Sequence, residues 1–196
     1  MPKTSHAELT KLIPETPADC RFVFQPVKSS DAAVLVRHLR DIRITRYTYI
    51  PHPYTVSHAR QFVRRAQRLR RLGKGVILNI VDRESNQIIG AIGVMSIDWT
   101  NRKTEFGYWL AREYWGKGVM TEATRLFVKY AFETLKLERL YAHVFSPNIA
   151  SQRVVEKIGF RLEGIIRRAN LHRGRWLDSH LYSMLRSEYL TSVRGK

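Results

Sequence analysis

Glu105–Ala123, EFGYWLAREYWGKGVMTEA, joins a β-like run to a glycine-bearing loop that opens an amphipathic helix. Gly116 and Gly118 let the backbone turn tightly and approach a ligand closely. The free N–H groups and the positive dipole end of the following helix attract phosphate. The stretch therefore predicts an anion site suited to a pyrophosphate-bearing ligand, although a Gly-Lys-Gly triplet is also compatible with a plain tight connection.

Two well-known phosphate-binding motifs do not match this loop. A Walker loop needs Gly-x-x-x-x-Gly-Lys-Ser/Thr, and the dinucleotide-binding pattern needs a third glycine where Thr121 stands. The loop therefore indicates neither a nucleoside-triphosphate site nor a Rossmann site.

Composition predicts one soluble domain. The chain has 196 residues, of which 44% are hydrophobic, and can bury one sizeable core. Its single cysteine, Cys20, excludes an intramolecular disulfide, and the N-terminal segment lacks the apolar run of a signal peptide. No run approaches the roughly 18 apolar residues of a membrane helix, and no histidines have a metal-ligand spacing. We expect a cytoplasmic protein without a metal or a membrane partner.

The charge balance is strongly basic, with 34 Lys and Arg against 17 Asp and Glu and a formal charge of +17. This excess predicts an anionic partner or substrate environment. Interleaved apolar residues allow the segment 60–74 to form an amphipathic helix, whose basic face would bind RNA or simply be solvated. Its basic residues are Arg60, Arg64, Arg65, Arg68, Arg70, Arg71 and Lys74. A second basic group comprises Arg167, Arg168, His172, Arg173 and Arg175.

Hydrophobic periodicity predicts a mixed α/β domain at 21–186, flanked by an N-terminal arm at 1–20 and a C-terminal tail at 187–196. Three successive antiparallel strands precede a strand–helix–strand unit. Strands are predicted at 21–27, 76–81, 87–97, 103–110, 139–145, 161–167 and 175–185. Helices are predicted at 31–43, through the basic segment from Thr55 or Ser57, at 121–136 and at 148–158.

A second motif, Ser146–Phe160 with the sequence SPNIASQRVVEKIGF, follows the first, and together they resemble the GCN5-related N-acetyltransferase (GNAT) superfamily. The segments EFGYWL, YWGKG with TEA, NIAS with EKIGF, and GRWLD are similar to its RimJ/RimL-like branch of ribosomal-protein-alanine N-acetyltransferases. The likeness covers roughly residues 21–186. It implies an acyl-CoA N-acyltransferase fold, with a twisted mixed sheet of about seven strands and helices on both faces.

The resemblance also implies acetyl-CoA as cosubstrate, lying between the strand that ends at Leu110 and the strand that ends near Phe145. Backbone N–H groups near Trp109 and Leu110 would contact the pantetheine arm and polarise the thioester carbonyl. Asn148 would contact the pantetheine, or only cap its helix. The implied pyrophosphate cradle comprises Trp115, Gly116, Lys117, Gly118, Val119, Met120 and Thr121. In the superfamily loop pattern only Gly118 matches, because Trp115 occupies the first position and Met120 the last.

The resemblance also implies catalytic roles for particular residues of this chain. Many superfamily members use a Tyr as general acid where this chain has Val155, whereas the RimL-like pattern uses a Ser that matches Ser151. Ser151 also stands where it would satisfy helix-end backbone groups. The Glu that serves as the RimL-like base is replaced by Asn170, so the base is open. Glu105 is the first candidate, either as a base acting through water or as a structural acceptor; His143 and Asp178 are reserve candidates.

The sequence thus predicts an acetyl-CoA-dependent N-acetyltransferase whose acceptor is a primary amine. The lack of a strong base favours a protein N-terminal α-amine of ribosomal-protein type, because its pKa of about 8 is well below the value of about 10.4 for lysine. Two alternatives stay open: a polyamine or aminoglycoside acetyltransferase, and a non-catalytic RNA- or ribosome-binding protein on the same fold. Ribosome docking through residues 60–74 is a further hypothesis, and the chain is either a monomer or a homodimer.

Overall fold

A seven-stranded mixed sheet organises the chain in a computed structural model that describes residues 5–194. The strand order is β1-β2-β3-β4-β5-β7-β6, and only the β4–β5 pair is parallel. The predicted mixed sheet, with an antiparallel first half and a strand–helix–strand unit, is confirmed. The strands are β1 Phe22–Pro26, β2 Val76–Asp82, β3 Ile88–Val94, β4 Lys103–Leu110, β5 Arg139–Phe145, β6 Arg161–His172 and β7 Arg175–Leu185.

Helices cover both faces of the sheet, as predicted. Leu35 of α2 and Val63 of α4 pack with Trp109 in one hydrophobic cluster. Phe127 of α5 and Val155 of α6 belong to a larger cluster on the other face. No helix within residues 5–194 is long and apolar enough to cross a membrane. The helices are α1 His6–Leu9, α2 Ala32–Leu39, α3 Ile42–Thr45, α4 Val56–Arg71, α5 Val119–Glu133, α6 Ile149–Lys157 and α7 Arg186–Arg194.

The basic segment forms α4 with the predicted amphipathic arrangement. The Thr55 side chain caps it by accepting a hydrogen bond from the His58 N–H, and its buried stripe consists of Ala59, Val63 and Ala66. Arg70 does not contribute to the exposed basic face, because its guanidinium donates to the Thr10 carbonyl at 3.0 Å and to the Lys11 carbonyl. The remaining cations of the segment are exposed, and they are Arg60, Arg64, Arg65, Arg68, Arg71 and Lys74.

Several predicted elements have different bounds in the structure, and two of the differences change the local architecture. The single helix expected at 31–43 is divided into α2 and α3, because Asp41 is extended and its side chain accepts the Arg43 N–H, which starts a new helix. Strand β6 runs beyond 167 to His172, past irregular pairing between Ile166 and Asn170. A two-residue turn then follows, in which Arg173 and Gly174 have φ values of 52° and 78°, the positive values that a tight hairpin turn requires.

The segments that the sequence analysis placed outside the domain pack against it, as far as residues 5–194 show. His6 stacks on Trp99 with ring centroids 4.0 Å apart. Cys20 is buried and its thiol donates to Glu122 Oε1 at 3.0 Å; burial and this hydrogen bond raise the pKa of the thiol to about 11. Tyr189 of α7 is buried against the large cluster. The rest of the predicted arm and tail, residues 1–4 and 195–196, lies outside the described residues.

Two glycines that face each other across β3 and β4 should differ sharply in their tolerance of a side chain. A Cβ on Gly93 would lie 2.4 Å from the Val76 carbonyl oxygen and 2.6 Å from Ile77 Cα, whereas a Cβ on Gly107 meets nothing within 4 Å. Gly93→Ala should lower the free energy of unfolding by about 1–3 kcal/mol, because the backbone of β2 must move. Urea denaturation measures this change.

Gly107→Ala is the matched control and should unfold at nearly the wild-type urea concentration. Equal stability of the two variants would contradict the close packing of β2 against β3.

Candidate active site

The cleft of this fold arises where β4 and β5 separate. The two strands pair only from Lys103 opposite Arg139 to Glu105 opposite Tyr141. Beyond that point β4 continues to Leu110 and β5 continues to Phe145 without further pairing between the described residues. The interior of the sheet therefore contains a V-shaped opening lined by backbone groups that have lost their strand partner. The predicted position of the cosubstrate cleft, between these two strand ends, coincides with this opening.

The register of β4 decides which N–H groups face the cleft. The Ala111 N–H donates to the Ile89 carbonyl on the β3 side at 2.7 Å. Because N–H direction alternates along an antiparallel strand, the Trp109 N–H also faces β3, whereas the N–H groups of Tyr108 and Leu110 face the cleft. This corrects the expected Trp109 contact: its N–H is used inside the sheet and its indole is buried 5.9 Å from the His38 ring. The Leu110 N–H faces the cleft, and its contact with the cosubstrate stays a prediction.

The glycine loop that follows β4 has the geometry of an anion cradle. Gly116 and Gly118 have φ values of 73° and 77°, and a Cβ on either would meet nothing within 4 Å. The Trp115 indole N–H donates to the Leu110 carbonyl at 2.8 Å, so this side chain holds the loop against the strand end. Lys117 is exposed, with Nζ 5.8 Å from the centroid of the Tyr114 ring.

Helix α5 begins at Val119, directly after its N-cap Gly118, and not at Thr121 as the sequence analysis expected. Its first helical hydrogen bond is the one from the Glu122 N–H to the Gly118 carbonyl at 3.1 Å. The N–H groups of Val119, Met120 and Thr121 precede this bond and are left without helical acceptors. Their side chains do not define the cradle, since Val119 and Met120 are buried in the core. The site is a backbone cradle at the positive end of a helix dipole.

A pair of hydroxyl groups lies on the α6 side of the cleft. The Asn148 side chain caps α6 by accepting the Ser151 N–H at 3.2 Å. Ser151 Oγ lies 2.8 Å from the Tyr108 hydroxyl. Burial raises the pKa of Tyr108 to about 12, against the lowering effect of the Ser151 hydrogen bond, so this phenol stays protonated at neutral pH. Sequence reasoning missed Tyr108, although strand alternation in EFGYWL places it on the same face as buried Phe106.

A carboxylate and an imidazole meet on the opposite face. Glu105 Oε1 lies 3.1 Å from His143 Nδ1, at the point where β4 and β5 part. Their side chains are 45% and 29% exposed, so both are accessible from solvent. Because strand side chains alternate between faces, Glu105 and Tyr108 approach the cleft from opposite sides of the sheet. The structure thus brings together two of the candidate bases.

Asp178, the remaining candidate base, has a structural partner, and so does Asn170. Asp178 Oδ1 accepts the Arg168 N–H at 2.7 Å, which supports the irregular part of β6. Asn170, which replaces the expected glutamate, accepts a hydrogen bond from the Tyr49 hydroxyl at 3.0 Å. Burial, followed by the negative charge of Glu105, raises the pKa of Tyr49, which places this phenol in the field of the Glu105–His143 pair. Within residues 5–194, no three His, Cys, Asp or Glu side chains are arranged to hold a metal ion.

Comparisons with known proteins agree with this fold. The N-acetyltransferase p20 of Bacillus licheniformis is 33% identical over 170 residues, covering 86% of this chain and 95% of p20. A spermidine N(1)-acetyltransferase of Vibrio cholerae is 29% identical over 111 residues, covering 57% of this chain and 64% of that protein. The solved ribosomal-protein-S5-alanine acetyltransferase of Vibrio fischeri superposes with a TM-score of 0.80 at 23% identity, covering 89% of this chain and 98% of that one.

The family assignment follows from a match over most of the chain. The family described as the acetyltransferase (GNAT) domain matches residues 21–161. The matched residues include those of the cleft, the glycine loop, the hydroxyl pair and the Glu105–His143 pair. The chain belongs to the GNAT family of N-acetyltransferases.

Proposed function

We propose that this N-acetyltransferase moves acetyl from acetyl-CoA to the α-amine of a protein N-terminus by direct attack. The observation that carries the proposal is the opening between β4 and β5, which leads into the backbone cradle at the start of α5. A thioester placed in this opening would lie between a hydroxyl pair on one face and a carboxylate–imidazole pair on the other. That arrangement offers a proton donor for the leaving sulfur and a proton acceptor for the attacking amine, on opposite sides of the reacting carbon.

Acetyl-CoA would complete the interrupted sheet. The amide groups of its pantetheine arm are suited to the cleft-facing N–H and carbonyl groups of β4, as a neighbouring strand would be. The Leu110 N–H would donate to the thioester carbonyl oxygen, where negative charge develops during attack. The pyrophosphate would accept hydrogen bonds from the first N–H groups of α5. Trp115 supports this binding indirectly, because its indole fixes the loop against the end of β4.

The proposed reaction uses one group for each proton. The Glu105–His143 pair takes one proton from the protonated amine, directly or through water, and the neutral amine then attacks the carbonyl carbon and forms the C–N bond. The C–S bond breaks, the departing sulfur takes a proton from the Ser151 hydroxyl, and the second surplus proton of the amine nitrogen passes through water back to Ser151. The Tyr108 hydroxyl lies 2.8 Å from Ser151 Oγ; by donating its hydrogen to that oxygen, it would direct the Ser151 hydrogen toward the sulfur. No step needs a metal or a covalent enzyme intermediate.

An α-amine suits this site, because a solvent-accessible carboxylate–imidazole pair is a modest base and an α-amine has a pKa of about 8. The similarity to a ribosomal-protein-S5-alanine acetyltransferase supports an N-terminal acceptor. The similarity to a spermidine N(1)-acetyltransferase supports the alternative, a polyamine acceptor. A polyamine carries several positive charges and would be repelled by a chain with a formal charge of +17 unless its pocket were locally acidic.

The cradle can be tested by substitution of its cap residue. Gly118→Glu should abolish acetyl-CoA binding in calorimetric titration, because it introduces a negative charge beside the pyrophosphate position and a side chain at a φ of 77°. Gly164→Glu is the matched control, since it adds the same charge at an exposed position with open space and should bind like the wild type. Unchanged binding by a folded Gly118→Glu protein would reject the cradle.

The two proton-transfer groups should be distinguishable by pH. Glu105→Gln should lower kcat/KM for an N-terminal peptide by about 100-fold at pH 7. This loss, measured against the wild type at the same pH, should shrink by roughly tenfold at pH 9, because the α-amine then loses its proton to solvent and does not need the base. Ser151→Ala should show a similar loss against the wild type at both pH values, since protonation of the leaving sulfur is not helped by alkali. Steady-state rates at both pH values measure the contrast; identical pH profiles for the two variants would contradict these roles.

The exposed face of α4 is proposed to dock on ribosomal RNA beside the acceptor protein. Five arginines project from it, namely Arg60, Arg64, Arg65, Arg68 and Arg71. Replacing Arg60 and Arg64 by Gln should slow acetylation of intact ribosomal particles and leave the rate on a free N-terminal peptide unchanged, because only the particle presents phosphates to α4. Equal wild-type rates on particles and free peptide would argue against docking.

A further inference from the structure

The β6–β7 hairpin and the loop after α3 meet above the end of β5. The Tyr49 hydroxyl donates to Asn170 Oδ1 at 3.0 Å, and His172 Nε2 lies 2.9 Å from the Arg46 carbonyl oxygen. Arg173 donates to the Thr45 carbonyl at 3.3 Å and to its hydroxyl at 3.2 Å. We name this junction of residues 45–49 with residues 170–175 the arch. It ties two distant parts of the chain together on one side of the cleft.

The arch stands on the face of the sheet where the acceptor would reach the base. Phe145, at the end of β5, supports it from below, with ring centroids 5.1 Å from both Tyr49 and His172. His143 lies two residues before Phe145 on the same strand and therefore on the same face. The arch therefore lies beside the solvent-accessible Glu105–His143 pair, to which an acceptor amine would come.

Guanidinium groups dominate this entrance. Arg46 and Arg173 belong to the arch, and both are exposed. Arg175 is also exposed and pairs in register with His172, which places its side chain on the arch side of the hairpin. None of the three forms a salt bridge with a carboxylate among the described residues. Their charge is therefore available to a ligand.

Carboxylates near this entrance are already engaged. Glu105 pairs with His143, and Asp178 accepts the Arg168 N–H. Asp41, close to α3, is bound by the Arg43 guanidinium, whose hydrogen bonds lower the pKa of that carboxyl to about 2. The acceptor path thus has three positive charges that form no salt bridge among the described residues, which is unfavourable for a polyamine.

We infer that the acceptor presents its amine on an acidic polypeptide, whose carboxylates just after the N-terminal residues bind Arg46, Arg173 and Arg175. This inference rests on the proposed function, because it specifies the chain that carries the acceptor amine. Arginine is suited to the task, since its planar guanidinium binds a carboxylate through two parallel hydrogen bonds. Complementary charge at the rim would also speed the encounter with the acceptor.

Three peptides that share the N-terminal dipeptide Ala-Ala and continue with three Glu, three Gln or three Lys residues test the inference. At low ionic strength, kcat/KM for the Glu peptide should exceed that for the Gln peptide by about tenfold, and the Lys peptide should be slowest. Added salt should reduce the differences, because exposed charges are screened. Spermidine, measured beside the peptides, should be a poorer acceptor than the Glu peptide.

A double variant identifies the arch as the source of the preference. Arg46→Gln with Arg175→Gln should reduce the Glu-over-Gln preference to about twofold or less, while the rate on the Gln peptide changes little. Neither side chain donates a hydrogen bond within the described residues, so folding should be unaffected. Lys129→Gln with Lys157→Gln is the matched control: it removes the same charge from exposed positions on α5 and α6 and should keep the full preference.

The outcomes separate this inference from the proposed function. Equal wild-type rates on the three peptides, or a preference that survives in the Arg46–Arg175 variant, would overturn the acidic-acceptor inference and leave N-terminal acetylation standing. Acetylation of spermidine but of no peptide, by protein that binds acetyl-CoA, would overturn both.

Discussion

The separation of β4 from β5 after three paired residues is the constraint on which the site depends. A sheet that opens in its interior leaves backbone N–H and carbonyl groups without partners, and such groups are costly to bury unless something satisfies them. Here the Trp115 indole satisfies the Leu110 carbonyl at the mouth of the opening, and the remaining cleft-facing groups are left for a ligand with amides of its own. The same opening aligns the free N–H groups at the start of α5 with the end of β4, so strand and helix contribute to one continuous site.

The two pairs to which we assign proton transfer lie on opposite faces of the sheet because side chains alternate along β4. Tyr108 and Glu105 are three residues apart on this strand and therefore face opposite layers. The proposed donor, Ser151 of α6, lies beside Tyr108, whose phenol is kept protonated by burial. The proposed acceptor, the Glu105–His143 pair, is in contact with solvent. The two pairs therefore have different surroundings, although β4 contributes one residue to each.

Much of the fold could be predicted because local pattern and tertiary structure agree. Three strands, β4, β5 and β7, have the predicted bounds. The glycine loop was also predictable, because glycines that take positive φ leave a direct trace in the sequence, although the helix after it begins at Val119 and not at Thr121. Missed features depend on partners far along the chain: the Tyr108–Ser151 pair joins residues 43 apart, and the Tyr49–Asn170 pair joins residues 121 apart. Trp109 was assigned to the cleft because periodicity shows the direction of side chains and not the register that directs each N–H group.

The burial of Cys20 has a consequence for an enzyme whose proposed product is a free thiol. Thiolates and not thiols attack disulfides and thioesters, and this sulfur is both enclosed and held protonated by its pKa of about 11. The chain therefore presents no competing thiolate to its own acetyl donor and no accessible thiol for mixed-disulfide formation with released coenzyme. Its activity should be indifferent to oxidants at levels that inactivate enzymes with exposed cysteines. A thiol-detecting dye would report turnover with almost no background from the protein itself.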